Sequence, residues 1–216
     1  MNQSQEEDKN KFLILMDKHN PQASEQMTRN TYKFAAAWED EPIVFGASRP
    51  GYSNQQVSDW IEFMKKQNIQ RVCCLLPQKQ LTRYSNLLGI YQQEFCEQQV
   101  CWAPIIDFQF VNLEMLTQRI IPFLVAADKQ SEKVVVHCSG GIGRTGHVLA
   151  AWLVSIRGFS NKDALAAVKR TGRNPYEAAI ASMFTFKNPL KAVQELNVLL
   201  NDCRLVVCST NPDEFS

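Results

Sequence analysis

Short apolar runs alternate with amphipathic stretches along most of this chain. "PIVFGA" (42–47) predicts a short strand. "SNQQVSDWIEFMKKQN" (53–68) puts Val57, Trp60, Ile61 and Met64 on one face at helical spacing. Ser53 with Gln56 forms a capping-box pattern at its start, and Asn68 is the expected stop. "IQRVCCLL" (69–76) is nearly continuous in apolar residues, as a strand buried on both faces should be. A helix is expected over 81–95, a strand over "QVCWAPI" (99–105), and a helix over 112–127 that Pro122 should kink. "KVVVH" (133–137) is the clearest strand. The segment 144–157 is apolar almost all round, which predicts a central, buried helix ended by Gly158. Ser160 with Asp163 starts another helix to about Arg170, and 175–202 reads as mostly helical with a break at Asn188-Pro189.

Strands that alternate with helices imply an α/β domain built on a central, mostly parallel β-sheet flanked by helices. In such sheets ligands sit beyond the carboxyl ends of the strands. Arg49, Asp107 and the loop after Cys138 all leave strands at that end, so they should share one edge. Asp128 and Glu132 precede their strand and should lie at the opposite edge. No repeat or low-complexity linker divides the chain. The expected organisation is a polar, loosely ordered segment over 1–30, a domain over 31–203 and a tail over 204–216.

Composition adds mainly exclusions. The chain has 216 residues, enough for one sizeable core. A net charge of +1 gives no global field toward nucleic acid or an anionic membrane, and neither partner is expected. Phe12–Met16 is too short for a signal-peptide core, and no run is long enough to span a bilayer. The expected location is the cytoplasm. Seven cysteines without framework spacing argue against a disulfide scaffold. Cys96 with Cys101 and Cys203 with Cys208 lack the tight spacing of a zinc knuckle, so no metal or other cofactor is expected.

The candidate chemistry lies in "VVVHCSGGIGRTGHVLA" (134–150). Five residues, three of them glycine, separate Cys138 from Arg144. Glycine lets successive backbone N–H groups turn to one side, which makes an anion nest. The loop opens a helix whose positive end faces the same space. Arg144 adds a planar fork matched to two phosphate oxygens. Ser139, Gly140, Gly141, Ile142, Gly143 and Arg144 therefore form a candidate phosphate cradle with Cys138 at its base. The same dipoles would favour a thiolate; cysteines in such settings fall from about 8.5 to between roughly 3.5 and 7.5. Thr145 is expected to donate its hydroxyl to the sulfur, and His137 to bond nearby backbone and orient the cysteine. A leaving oxygen needs a proton, and a positioned carboxylic acid supplies a factor of about 10² to 10⁴. Asp107 is the candidate acid. Arg49 is a candidate for contact with substrate or a neighbouring loop, Arg173 is a candidate at the site mouth, His147 is expected to be structural, and Cys73 or Cys74 could resolve an oxidised Cys138 but fits the core better.

"HCSGGIGRT" resembles the His-Cys-x5-Arg-[Ser/Thr] signature of the cysteine-dependent protein tyrosine phosphatases. "APIIDF" resembles their general-acid loop, at a separation from the cysteine similar to that in small dual-specificity members. "FGASRPGY" and "RTGRNPYEAA" add weaker likeness, and the resemblance covers about 30–200. It implies the family's fold and a two-step mechanism without metal, in which Cys138 is nucleophile, Arg144 binds phosphate, Asp107 is acid and then base, and Thr145 aids thiolate departure. The expected substrates are phosphotyrosine and phosphoserine or phosphothreonine. Two departures stand out: no long tyrosine-recognition loop, and no glutamine loop after the signature, where "TGRNPYEAA" stands. The loop has no lysine, which lowers the case for a highly charged lipid. The alternatives are a phosphatase of RNA 5′-phosphates, inositides or nucleotides, and a phosphoprotein-binding module without turnover. A Walker A reading fails for want of its Gly-Lys-[Ser/Thr] end, and a sulfurtransferase loop is commonly one residue tighter.

Overall fold

The computed structural model describes residues 31–177 and 189–210. The polar segment expected over 1–30, the stretch 178–188 with its expected break at Asn188, and 211–216 lie outside the described residues. Five strands form one sheet among the described residues: β1 (Ala35–Ala36), β2 (Val44–Ser48), β3 (Ile69–Cys74), β4 (Val100–Trp102) and β5 (Lys133–Cys138), in the order β1-β2-β5-β3-β4. Only β1 runs antiparallel, to β2; the other pairings are parallel. Central β5 is flanked by β2 and β3, so the chain bearing Cys138 leaves from the middle of the sheet.

Helices cover both faces, each with its own apolar cluster. On one side lie α1 (Asn54–Lys66), α2 (Gln78–Leu81) and α3 (Leu87–Phe95), around Trp60, Met64 and Tyr91. On the other lie α4 (Leu113–Met115, Leu116–Ile120 and Ile121–Lys129 in succession), α5 (Gly143–Ser155), α6 (Asn161–Arg170) and α7 (Pro189–Thr210), around Leu116, Leu149 and Leu196. The capping box is formed: Ser53 Oγ accepts from the Gln56 amide at 3.2 Å, and Gln56 Oε1 accepts from the Ser53 amide at 3.2 Å. Asn68 sits at φ 60°, the left-handed conformation that ends a helix. Every residue of α5 is buried, as its unbroken apolar pattern predicts.

Three expectations need correction. The helix expected over 81–95 is two pieces, because the Asn86 side chain caps a new start by accepting from the Gly89 amide at 3.2 Å. The α4 region opens into a wider π-type turn over Leu116–Ile120. Pro122, which follows, has no N–H to give the usual carbonyl one turn back, and the wider turn accommodates the mismatch. The last helix runs past Cys203 to Thr210, with Val207 buried and Arg204 donating to the carbonyls of Val154 and Phe159. The added length is packed against α5 and the turn after it.

The edge opposite the Cys138 loop is closed by ion pairs. Glu41, buried, accepts from the Ile43 amide, Trp152 Nε1 and Arg157, while Arg157 also grips Asp128 at 2.7 Å. Arg71 pairs with Glu132 at 2.5 Å. Asp128 and Glu132 are thus structural, at the edge where their place before β5 puts them. No helix among the described residues is long and apolar enough to cross a membrane.

Candidate active site

Cys138 ends β5 and is 2 % exposed. The loop that follows is shaped from outside. The Arg49 amide donates to the carbonyls of Cys138 at 2.9 Å and Ser139 at 3.3 Å. A trans peptide holds its C=O and N–H in opposite directions, so the amides of Ser139 and Gly140 turn away from Arg49. Arg173 Nη1 donates to the Gly141 carbonyl at 2.7 Å, which likewise turns the Ile142 amide away from Arg173. None of the amides of Ser139, Gly140, Gly141 and Ile142 has an acceptor among the described residues. Gly141 takes φ +66°, and a Cβ there would stand 2.5 Å from the Ala47 carbonyl carbon. Glycine is required by both conformation and space. The loop then enters α5, whose first amides are also without intrahelical acceptors.

Arg144 is 3 % exposed and fixed at three points. Its Nη1 donates to the Ile105 carbonyl at 3.1 Å and to Gln80 Oε1 at 3.2 Å, and its Nη2 meets Asp107 Oδ1 at 3.0 Å. Asp107 is 40 % exposed on its side chain, at the solvent rim of the site. The shared edge of Cys138, Arg49 and Asp107 is therefore present in the fold. Gln80 is the residue that reading the sequence missed. Its Oε1 accepts from Ser139 Oγ at 3.0 Å as well as from Arg144, and its Nε2 donates to Asp107 Oδ2 at 3.4 Å. One amide thus joins the loop, the arginine and the candidate acid. The signal was available: Gln80 follows β3 at the same carboxyl edge.

Three residues have surroundings unlike those expected, whereas Arg49 makes the neighbouring-loop contact that was one of its two expected roles. Arg173 does not line the mouth. It is 3 % exposed behind the loop, and its donors go to the carbonyls of Gly141, Gly46 (2.6 Å) and Lys33 (2.7 Å). Burial lowers its pKa to about 10, which leaves it charged at neutral pH. Arg49 turns its guanidinium toward Pro50 and Tyr84, through Nη1 contacts of 2.8 and 3.0 Å. Thr145 Oγ1 is buried without a hydrogen-bond partner among the described residues, so the expected bond to the sulfur is not formed. The His137 ring makes no hydrogen bond of good geometry among the described residues, though the Cys138 backbone lies close enough to pull its pKa upward against burial. Both ring nitrogens are without partners among the described residues, and the ring packs edge-on against Trp60 and Tyr91, with centroids at 5.3 and 5.6 Å. It supports the cysteine by packing.

His147 ties the candidate acid loop to α5: its Nε2 accepts from the Val111 amide at 3.2 Å, and its ring meets Phe110 at 5.5 Å. Burial first, and the Arg144 charge second, push its pKa down to about 3; burial and the nearby arginines hold His137 at about 3 too. Both are neutral in the fold, whereas an unfolded chain would take up their protons near 6.5. The unfolded state therefore binds more protons below that pH. Stability from this source is complete above about pH 6.5 and falls toward pH 3, by up to about 1.4 kcal/mol per pH unit for each histidine. Urea unfolding of wild type and His137→Phe between pH 7 and pH 4 checks this; the variant should show the shallower decline.

Arg173→Met leaves the carbonyls of Gly141, Gly46, Lys33 and Ala35 without their charged donor. We expect a loss of roughly 3 kcal/mol in urea unfolding, together with weaker phosphate binding as the Gly141 peptide loses its restraint. Unchanged phosphate affinity in a destabilised variant would assign Arg173 to stability alone.

Comparison with known proteins matches this architecture. The model for the dual specificity phosphatase catalytic domain matches residues 52–194. The chain is 26% identical over 144 residues to the tyrosine-protein phosphatase CDC14 of Saccharomyces cerevisiae, covering 66% of this chain. It is 31% identical over 81 residues, 37% of this chain, to the tyrosine-protein phosphatase yvh1 of Schizosaccharomyces pombe. The matches cover 24% of each of those relatives, so the chain corresponds to about a quarter of their length. Among solved structures, Tk-PTP in its active form superposes with a TM-score of 0.54 at 25% identity, covering 72% of this chain and 91% of that one. PTPMT1 in complex with PI(5)P has a TM-score of 0.59 at 14% identity, covering 82% and 98%, a likeness of fold.

Proposed function

Because the chain belongs to the dual-specificity phosphatase catalytic-domain family, we propose that it is a cysteine-dependent phosphatase of phosphotyrosine and of phosphoserine or phosphothreonine in proteins. One observation carries the reading: Cys138 and Arg144 stand at the two ends of a loop of free amides, and Asp107 rests on Arg144 at 3.0 Å.

In this reading the entering phosphate takes the loop amides and the Arg144 fork, which spread its charge over fixed donors. The dianion competes with Asp107 for Arg144 and releases the carboxyl toward the leaving oxygen. Cys138 attacks phosphorus in line, the bond to the ester oxygen breaks, and Asp107 supplies the proton that oxygen needs. Asp107 then takes a proton from water as the water attacks the phosphocysteine, and phosphate leaves with the thiolate restored. Gln80 holds Asp107 and Arg144 in register across both steps. Seven free cysteines support a reducing compartment, the cytoplasm, as the place of action.

The test is hydrolysis of p-nitrophenyl phosphate with a chelator present, followed by phosphopeptides, a phosphoinositide and an RNA 5′-phosphate side by side. The reading predicts chelator-insensitive turnover with phosphopeptides as the better substrates. Turnover that requires added divalent metal, or phosphate binding without turnover, would overturn it.

A further inference from the structure

Two guanidinium groups lie against the Tyr52 ring. The Cζ atoms of Arg49 and Arg83 both lie 3.7 Å from its ring centroid. Both positive charges are thus held at one ring, no more than about 7.4 Å from one another. No carboxylate pairs with either among the described residues. Arg49 spends Nη1 on the Pro50 carbonyl and the Tyr84 hydroxyl. Arg83 is exposed, and its guanidinium has no hydrogen-bond acceptor among the described residues.

The stack adjoins the phosphate cradle from both of its chain segments. The Arg49 amide is bonded to the Cys138 carbonyl at 2.9 Å. Arg83 follows Gln80 by three residues and donates its amide to the Gln80 carbonyl at 3.4 Å, while the Gln80 side chain reaches Ser139 and Arg144. Tyr52 packs against the Trp60 side of the sheet. The rim beside Asp107 differs. Ile106 and Phe108 are exposed apolar side chains there, and Phe108 borders Gly143 and His147, on the Leu149 side.

Resting on the phosphoprotein reading above, we propose that the Arg49–Tyr52–Arg83 stack is a second anion subsite. It selects phosphopeptides that carry an acidic or phosphorylated side chain close to the scissile phosphoresidue. Stacking fixes the Arg83 fork before a ligand arrives, so less rotamer freedom is lost on binding, and its N–H groups remain unspent. A peptide suits the site better than a compact polyphosphate, because the loop between Cys138 and Arg144 holds no cation of its own and the second pair of charges lies on the flanking segments. A polypeptide advances about 3.3–3.6 Å per residue and reaches the stack with a neighbouring side chain.

The experiment compares kcat/KM for two phosphopeptides of one sequence, one with acidic and one with neutral residues flanking the phosphoresidue, and for an inositol polyphosphate. Wild type should favour the acidic peptide by about fivefold, less so at high salt. Arg83→Ala should bring that ratio close to one, and Arg83→Glu should invert it. Because the Arg83 side chain is exposed, both variants should fold; their urea midpoints verify it. Equal rates on the two peptides in wild type would overturn the subsite while p-nitrophenyl phosphate turnover left the parent reading standing. An Arg83-dependent preference for the inositol polyphosphate would overturn it too. Failure of every substrate, p-nitrophenyl phosphate included, would overturn both.

Discussion

Cys138→Ser is expected to abolish turnover, by roughly 10⁴-fold or more, and to leave phosphate binding in place. A serine hydroxyl at the base of the loop is a far weaker nucleophile than sulfur with no base positioned to activate it, and loss of a nucleophile costs on this scale in other enzymes. The cradle itself does not depend on the sulfur. Its amides are oriented by Arg49 and Arg173, and Arg144 is held by Ile105, Gln80 and Asp107. The swap is also nearly isosteric at a position 2 % exposed. Steady-state rates on p-nitrophenyl phosphate and calorimetric titration with phosphate check both halves. Persistent turnover would clear Cys138 of its role, and lost phosphate binding would show that the loop had collapsed.

Asp107→Asn should cost about 10² to 10⁴ in kcat/KM, which reports the step that expels the leaving oxygen, for substrates with poor leaving groups, and much less for good ones. Asparagine keeps its size and an oxygen for Arg144 Nη2, so the loop stays in place; the bond accepted from Gln80 Nε2 at 3.4 Å and the transferable proton are both lost. A series of aryl and alkyl phosphates of rising leaving-group basicity measures this as a steeper dependence of rate on basicity. An equal loss across the series would assign the proton to another group.

How much of this was legible beforehand depends on the range over which each residue acts. Helix α1 is local: a capping box, a four-residue apolar face and a left-handed stop all lie within sixteen residues, and the helix forms where they indicate. The Cys138 loop is equally local, and the rule that ligands gather at strand carboxyl ends correctly placed Asp107 and Arg49 beside it. Arg173 was misplaced because its role depends on distant carbonyls, Lys33 and Gly46, which leave no mark on the sequence around it. Gln80 meets Arg144 across 64 residues and falls between the strand expected over 69–76 and the helix expected over 81–95, so neither pattern drew attention to it. His137 and Thr145 were given hydrogen bonds on chemical type alone, while tight packing against Trp60 and Tyr91, and against Gly46, set their actual surroundings.

Catalysis turns on one covalent event at one sulfur. Wild-type protein quenched in acid during turnover, digested and analysed by mass spectrometry should carry a single phosphoryl group on the Cys138 peptide, increased in Asp107→Asn and absent from Cys138→Ser. Sustained hydrolysis with that peptide unmodified, or with the phosphoryl group on another residue, would contradict it.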